Sequence, residues 1–244
     1  MNIYNLNNNE IDLSTKNIYV LLLNFSILNY QDHIACLSDD EIQRVDNINN
    51  KIKKNQFVIS RAIVKKLLSK YLRKTPNEIE FSYNKHGKPF ISEKFNNHSL
   101  EFNISHSDVY GLIAITLDNK IGVDIQKVNH DINIDSLSER FFSEDEKKQL
   151  MKFNKNKRTD VFHNGWVKKE SFIKAVGLGV AYGLDNFSVP LEENHRNYVL
   201  DLKNKKWYCC KLIEFDNYKA ALTMETKSNI FLSYKENYIS NILH

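Results

Sequence analysis

Residues 121–126 read Ile-Gly-Val-Asp-Ile-Gln, IGVDIQ. In a strand the side chains alternate, so Ile121, Val123 and Ile125 face one way and Gly122, Asp124 and Gln126 the other. The first set is a core face; the second places an acid and an amide side by side. A wet face of an antiparallel sheet explains an aspartate here without any function. Aspartate is nevertheless disfavoured in strands, and the neighbouring glycine marks close approach, here expected from a ligand or metal. Residues i and i+2 lie roughly 6.5 Å apart along a strand, and oxygen donors at that spacing can converge on a hard cation such as Mg²⁺.

Outward from this stretch, YGLIAITL (110–117) and KIGVDIQKV (120–128) read as strands joined by DNK, a short hairpin turn. SLEFNISHS (99–107) and the apolar IYVLLLNF add further strands, the latter too short to span a bilayer. LSDDEIQRV (37–45) and FSEDEKKQL (142–150) both carry Ser-x-x-Glu, the capping box of a helix start. Each precedes a lysine-containing helix: 53–72, with Phe57, Val64, Leu67, Leu68 and Tyr71 at helical spacing, and 166–176, begun by Asn164-Gly165 and stopped by Gly177 and Gly179. DNINNKIKKN (46–55) reads as the approach to the first helix, and EIEFSYN and DNFSVPL as a strand after each one. The expectation is an α+β fold of two similar halves, 1–119 and 120–244, each a small mixed or antiparallel sheet packed with helices.

The chain has 244 residues, with 34 Lys and Arg against 30 Asp and Glu, a formal charge of +4. That balance, with no matching motif, argues against a nucleic-acid partner. Cys36, Cys209 and Cys210 lack metal-ligand spacing and read as structural thiols in a reducing compartment. No membrane segment or basic leader is evident, so a cytoplasmic location is expected.

On the helix 166–176, Trp166, Glu170 and Lys174 fall at i, i+4 and i+8, one stripe. Glu170 before Lys174 is the favourable order for an ordinary surface ion pair, which is one reading of the two charges. Trp166 on the same stripe implies partial shielding from water, which suits acting on a ligand. NISHSD (103–108) is too local to be a Ser-His-Asp triad and lacks a Gly-x-Ser-x-Gly elbow. It reads as a phosphate or ribose contact or as a satisfied turn. KHGKPFI (85–91) places Lys88 on a turn, which alone is a solvated hairpin tip. No Walker loop or dinucleotide fingerprint is present.

HGKPFI, FNISHS, IGVDIQ, RFFSEDE and WVKKESFIKAVGLG occur together and in that order. The series closely resembles the Sfp-type (surfactin-type) 4′-phosphopantetheinyl transferases over about residues 50–190. The resemblance implies a monomer of two pseudo-symmetric halves, with coenzyme A and Mg²⁺ in the cleft between them. It implies transfer of the phosphopantetheine arm to a serine of an apo carrier protein, releasing adenosine 3′,5′-bisphosphate. By similarity Asp124 and Glu170 match the metal-binding acids, and Glu170 also the base for the carrier serine. Lys174 matches the lysine near the reacting phosphate. Lys88, Ser105 and His106 match coenzyme A contacts, His106 at the 3′-phosphate. Gln126 stands where the best-known members carry glutamate, so it enters the metal set as an amide. Lys53, Lys54 and Arg61 align loosely with contacts to the adenine nucleotide. The family tendency is toward carriers of nonribosomal peptide and polyketide synthases, hence antibiotic-type biosynthesis, with fatty-acid carriers as an alternative. A coenzyme A- or carrier-binding module that has lost turnover is the competing expectation, and Gln126 is the feature in its favour.

Overall fold

The computed structural model of the chain describes residues 3–5, 11, 13–95, 99–192, 197–215 and 217–233. Its elements run β1 (Ile3–Asn5), β2 (Asn17–Asn24), α1 (Asp39–Asp46), α2 (Lys51–Leu72), β3 (Phe81–Tyr83), β4 (Pro89–Ile91), β5 (Leu100–Ser107), β6 (Tyr110–Leu117), β7 (Ile121–Lys127) and α3 (Ile134–Phe141). They continue with α4 (Glu144–Met151), α5 (Lys155–Val176), β8 (Tyr198–Leu200), β9 (Lys206–Phe215), β10 (Tyr218–Met224) and β11 (Asn229–Ser233). The fold is α+β, as expected. It divides into two units, Met1–Asp118 with Ser228–His244, and Asn119–Lys227. The division thus falls one residue before the expected 119/120, and β11 joins the first unit rather than the second. β11 lies parallel between β1 and β2, with Ile230 and Leu232 fully buried.

In the first unit the sheet order is β1-β11-β2-β6-β5. Asn50 caps α2 by accepting from the Lys53 backbone N–H, and Arg73 ends it in the left-handed region (φ 52°). The helix therefore starts at Lys51, inside the stretch expected to be its approach. Ile59, Ile63, Leu67 and Leu68 pack with Leu21, Leu23, Ile113 and Ile115 from the sheet, while Val58 and Ala62 pack with Leu37 and Val45. This burial, at roughly 25 cal/mol per Å² of apolar surface, is the main cohesive force of the unit.

The expected hairpin at 118–120 is absent. The strand that pairs with β6 through a tight turn is β5, joined at Asp108-Val109 with Asp108 at φ 52°. β7 belongs to another sheet. The Asn119 side chain donates to the Thr226 carbonyl and accepts from the Thr226 N–H, fixing the start of β7 beside the end of β10.

The second unit has the sheet β7-β10-β9-β8, with α5 packed on β7 and β10. α5 begins at Lys155, eleven residues before the expected start, so Asn164-Gly165 lies inside the helix. A Cβ on Gly165 would stand 2.6 Å from Leu191 Cδ2 and 2.9 Å from Phe142 Cζ, so this glycine serves close packing. The helix does stop at Gly177, left-handed at φ 78°, whose N–H bonds the Ile173 carbonyl. DNFSVPL is not a strand. Its backbone groups bond side chains instead, the Phe187 carbonyl to Lys169 Nζ and the Val189 N–H to Glu146 Oε1, and Pro190 has no N–H to give a ladder. Cys209 and Cys210 are buried on β9, where burial raises both thiol pKa values.

Candidate active site

Gly122 decides how the second unit's site is built. A Cβ at this position would lie 2.1 Å from the Ser171 carbonyl oxygen and 2.3 Å from the Ala175 nitrogen. The close approach expected at this glycine is therefore made by the α5 backbone, not by a ligand. The Ser171 and Thr223 hydroxyls, 2.8 Å apart, tie the same turn of α5 to β10. With the helix this close to β7, Asp124 points at α5, and its cross-strand neighbour is the small Ala221. β7 is consequently buried on both faces up to Ile125, and Asp124 is only 5% exposed. The solvated-face account of Asp124 fails.

Lys174 Nζ donates to Asp124 Oδ1 at 2.6 Å. Glu170 lies one helical turn before Lys174 on the expected stripe, and Trp166 one turn before that; all three are half-buried. Trp166 packs edge-on against Phe141 and stacks with Phe162. Burial, with a smaller push from the nearby Asp124 charge and a partial offset by Lys174, lifts the Glu170 carboxyl to about 7. Two carboxylates and an ammonium thus share one partly shielded place, with one carboxylate poised near neutral pH. Gln126, two residues along β7, is half-buried and opposite Lys219, whose Nζ pairs with Asp160 on α5 at 3.0 Å. Among the described residues no group of three His, Cys, Asp or Glu side chains converges as a metal site. Asp124 and Glu170 are hard oxygen donors whose mutual repulsion a divalent cation would relieve, so they fit such an ion as a two-carboxylate site.

Behind Glu170 stands a cluster absent from the expected site. Lys169 Nζ lies 2.6 Å from Glu146 Oε2 and donates to the carbonyls of Leu184 and Phe187 at 2.7 Å each. Glu146 also accepts from the Ser143 and Val189 N–H groups. The first unit repeats the pattern: Lys65 pairs with Glu41, which closes the capping box with Ser38. Lys65 and Lys169 each occupy the fifteenth position of a 22-residue helix. The shared Ser-x-x-Glu is the visible half of this signal in the sequence; the matching lysines are its other half.

The remaining expected contacts lie in the first unit. Ser105 is buried near the end of β5 and His106, next to it, is exposed. His106 faces Gly111 across the β5–β6 pair. Lys88 closes the β3–β4 hairpin, where its N–H bonds Asn84 Oδ1 and its carbonyl accepts from the Asn84 N–H, with Gly87 at φ 83°. β4 lies against β5. Lys53 and Lys54 are in the first turn of α2, exposed and half-exposed. Arg61 is interior: Nη2 donates to the Tyr83 hydroxyl at 3.2 Å, Nε stands 3.7 Å from Glu41, and the guanidinium lies over the Phe81 ring. Burial lowers its pKa.

Residues 120–223 match the family described as the 4′-phosphopantetheinyl transferase superfamily, and residues 26–117 that described as 4′-phosphopantetheinyl transferase, N-terminal. Over 194 residues the chain is 29% identical to the 4′-phosphopantetheinyl transferase HetI of Nostoc sp., covering 80% of this chain and 81% of that protein. It is 32% identical over 161 residues to the 4′-phosphopantetheinyl transferase Sfp of Bacillus subtilis, covering 66% and 69%. With ffp of Bacillus subtilis it shares 37% identity over 142 residues, covering 58% and 61%.

Proposed function

Because this chain belongs to the 4′-phosphopantetheinyl transferase superfamily, we propose that it moves the phosphopantetheine arm of coenzyme A onto a serine of an apo carrier protein. The observation that carries this reading is the Asp124–Lys174 pair beside a Glu170 carboxyl held at about 7. The carrier serine oxygen attacks the β-phosphorus of coenzyme A. A new P–O bond forms, the bond to the bridging oxygen breaks, and adenosine 3′,5′-bisphosphate leaves. Glu170 takes the serine proton, a task that suits a base whose pKa lies near the working pH. Lys174 offsets negative charge on the reacting phosphate, and its contact with Asp124 fixes where its ammonium sits. Asp124 and Glu170 would hold Mg²⁺, with Gln126 adding a neutral amide oxygen directly or through water. When bound, that ion supplies charge neutralisation at the pyrophosphate.

Lys88, Ser105 and His106 contact coenzyme A, His106 at the 3′-phosphate. Lys53 and Lys54 serve the adenine nucleotide, while Arg61 acts from beneath by holding the Tyr83 hydroxyl. The partners we assign are apo carrier proteins of peptide and polyketide synthases, in antibiotic-type biosynthesis, met by a monomeric cytoplasmic enzyme. Among the described residues no helix is long and apolar enough to cross a membrane.

Incubation with coenzyme A, Mg²⁺ and an apo peptidyl carrier domain tests the reading. The carrier should gain the mass of one phosphopantetheine; an unchanged mass across peptidyl, aryl and acyl carriers overturns it. Gln126 favours one second reading, a coenzyme A- or carrier-binding module without turnover, which would bind both partners and leave the carrier mass unchanged.

A further inference from the structure

Lys219 carries a charge that the proposed chemistry does not use. Its side chain on β10 is only 5% exposed, and a lysine is rarely buried to this extent unless it is paired. Its Nζ lies 3.0 Å from Asp160 Oδ1 on α5, but the Asp160 side chain is 52% exposed. A pair with one partner in water returns little of what burying the ammonium costs. The contact with Asp160 is therefore a poor reason to bury a lysine here.

Its place in the sheet gives a better one. β7 and β10 are antiparallel, and alternate cross-strand pairs face α5. Gly122 with Thr223 meets the helix at Ser171, Asp124 with Ala221 meets Lys174, and Gln126 with Lys219 meets Asp160. Directly opposed residues share a face, with their Cβ atoms about 4.5–5.5 Å apart. Lys219 thus leaves the sheet beside Gln126, at one end of the proposed metal set. The buried His163, three residues along α5 from Asp160, adds no charge there at pH 7, because burial lowers its pKa. A carboxylate at 126 would be drawn to the Lys219 ammonium, whereas the amide leaves that ammonium to Asp160.

We propose that Lys219 tunes the metal site: its fixed positive charge beside Gln126 lowers the affinity of Asp124, Gln126 and Glu170 for a divalent cation, and Asp160 limits how far. The inference rests on the metal part of the transferase reading and adds a residue to it. Lys219 acts through charge and not as a ligand, since an ammonium has no lone pair to offer. A unit charge at such range, in partly shielded surroundings, changes the binding of a divalent ion by roughly 3- to 30-fold.

The test reads Mn²⁺ binding to the full chain by electron paramagnetic resonance, with no coenzyme and no carrier present. Lys219→Met keeps the length of the side chain and leaves behind only a half-exposed aspartate, so it is expected to fold. It should bind Mn²⁺ at least about 3-fold more tightly than wild type. Asp160→Asn should bind it at least about 2-fold more weakly, and the double variant should return toward wild type. Opposite directions are the mark of charge, since loosened packing would weaken both. Because Asp160→Asn leaves a buried ammonium without its carboxylate, its fold is checked by circular dichroism, and a second comparison avoids it. Gln126→Glu should tighten Mn²⁺ binding more in the Lys219→Met background than in wild type, where Lys219 competes for the new carboxylate. Lys219→Met binding Mn²⁺ no more tightly than wild type overturns the proposal and leaves the metal site standing. Mn²⁺ retained by Asp124→Ala is bound elsewhere, which overturns it too. No saturable binding by wild type removes the metal site and the proposal with it. Since no transfer is measured, a wild type that binds Mn²⁺ but modifies no carrier sinks the transferase reading alone.

Discussion

Lys169 Nζ lies 2.6 Å from Glu146 Oε2, and neither side chain is exposed. Burial raises the Glu146 pKa and lowers that of Lys169, so each is pushed toward its neutral form despite the pairing. Lys169→Met should therefore cost about 3–5 kcal/mol by leaving a buried carboxylate without its partner. Glu146→Leu with Lys169→Met should recover only part of this, because the Leu184 and Phe187 carbonyls stay unsatisfied. The matching double change at Glu41 and Lys65 should recover more, since among the described residues Lys65 bonds only the Ser38 hydroxyl besides its acid, and Arg61, 3.7 Å from Glu41, keeps the Tyr83 hydroxyl. Urea unfolding of these three variants and of Lys65→Met, the single change against which recovery in the first unit is read, checks the order; equal recovery in both units would refute it.

Gly122→Ala should be far more damaging than Gly165→Ala. The new methyl at 122 meets main-chain atoms of α5, which cannot move without shifting Glu170 and Lys174 away from Asp124. At 165 it meets the ends of Leu191 and Phe142, which can rotate. Turnover should fall at least about 100-fold for the first, since small misplacements near reacting groups cost that much, and less than about 10-fold for the second. Comparable kinetics for the two variants would contradict the close-approach account.

Glu170 should make the metal-free protein less stable as pH rises. Its folded pKa of about 7 exceeds the unfolded value of about 4.3. A carboxyl raised in this way carries no penalty below the unfolded pKa; the penalty grows between the two values and is complete above 7. Glu170→Gln, in the presence of a chelator, should thus be more stable than wild type at pH 8 by up to about 3 kcal/mol relative to their difference at pH 4. A stability difference that does not change over this range would place the folded pKa elsewhere. The same variant should lose at least about 100-fold in turnover as a lost general base.

At the proposed metal site Asp124→Ala should be much worse than Gln126→Ala. Asp124 is buried and paired with Lys174, whereas Gln126 is half-buried and neutral. Gln126→Glu should lower the Mg²⁺ concentration for half-maximal activity by adding a negative charge beside a divalent cation. Mg²⁺ titrations of the three variants decide it. Gln126→Ala proving the more damaging alanine would remove Asp124 from the metal set.

His106→Ala and Lys88→Ala should each raise the KM for coenzyme A more than that for the carrier. With dephospho-coenzyme A the gap between wild type and His106→Ala should shrink, because the 3′-phosphate is absent. An equal gap with both substrates would move His106 off that phosphate.

The local pattern alone determined the α+β class, the strand at 121–126 with its Ile121, Val123 and Ile125 core face, the Trp166–Glu170–Lys174 stripe, the stop at Gly177 and the two capping boxes. Each of these depends on a period or on a spacing of a few residues, which the chain carries wherever it folds. Partner choice is not local. DNK has the composition of a turn, yet Asn119 bonds Thr226, 107 residues away, so β7 pairs with β10. β11 pairs with β1 and β2 from the far end of the chain, and DNFSVPL gives its backbone groups to Lys169 and Glu146 rather than to a sheet. Gly122 reads as room for a ligand and is room for a helix, because its missing Cβ is needed by a segment about 50 residues on. Which side chains share a face follows from the order of residues along each element. Which element that face meets is settled in the folded chain, since contacts between distant segments depend on how well whole surfaces pack, and no short window contains both surfaces.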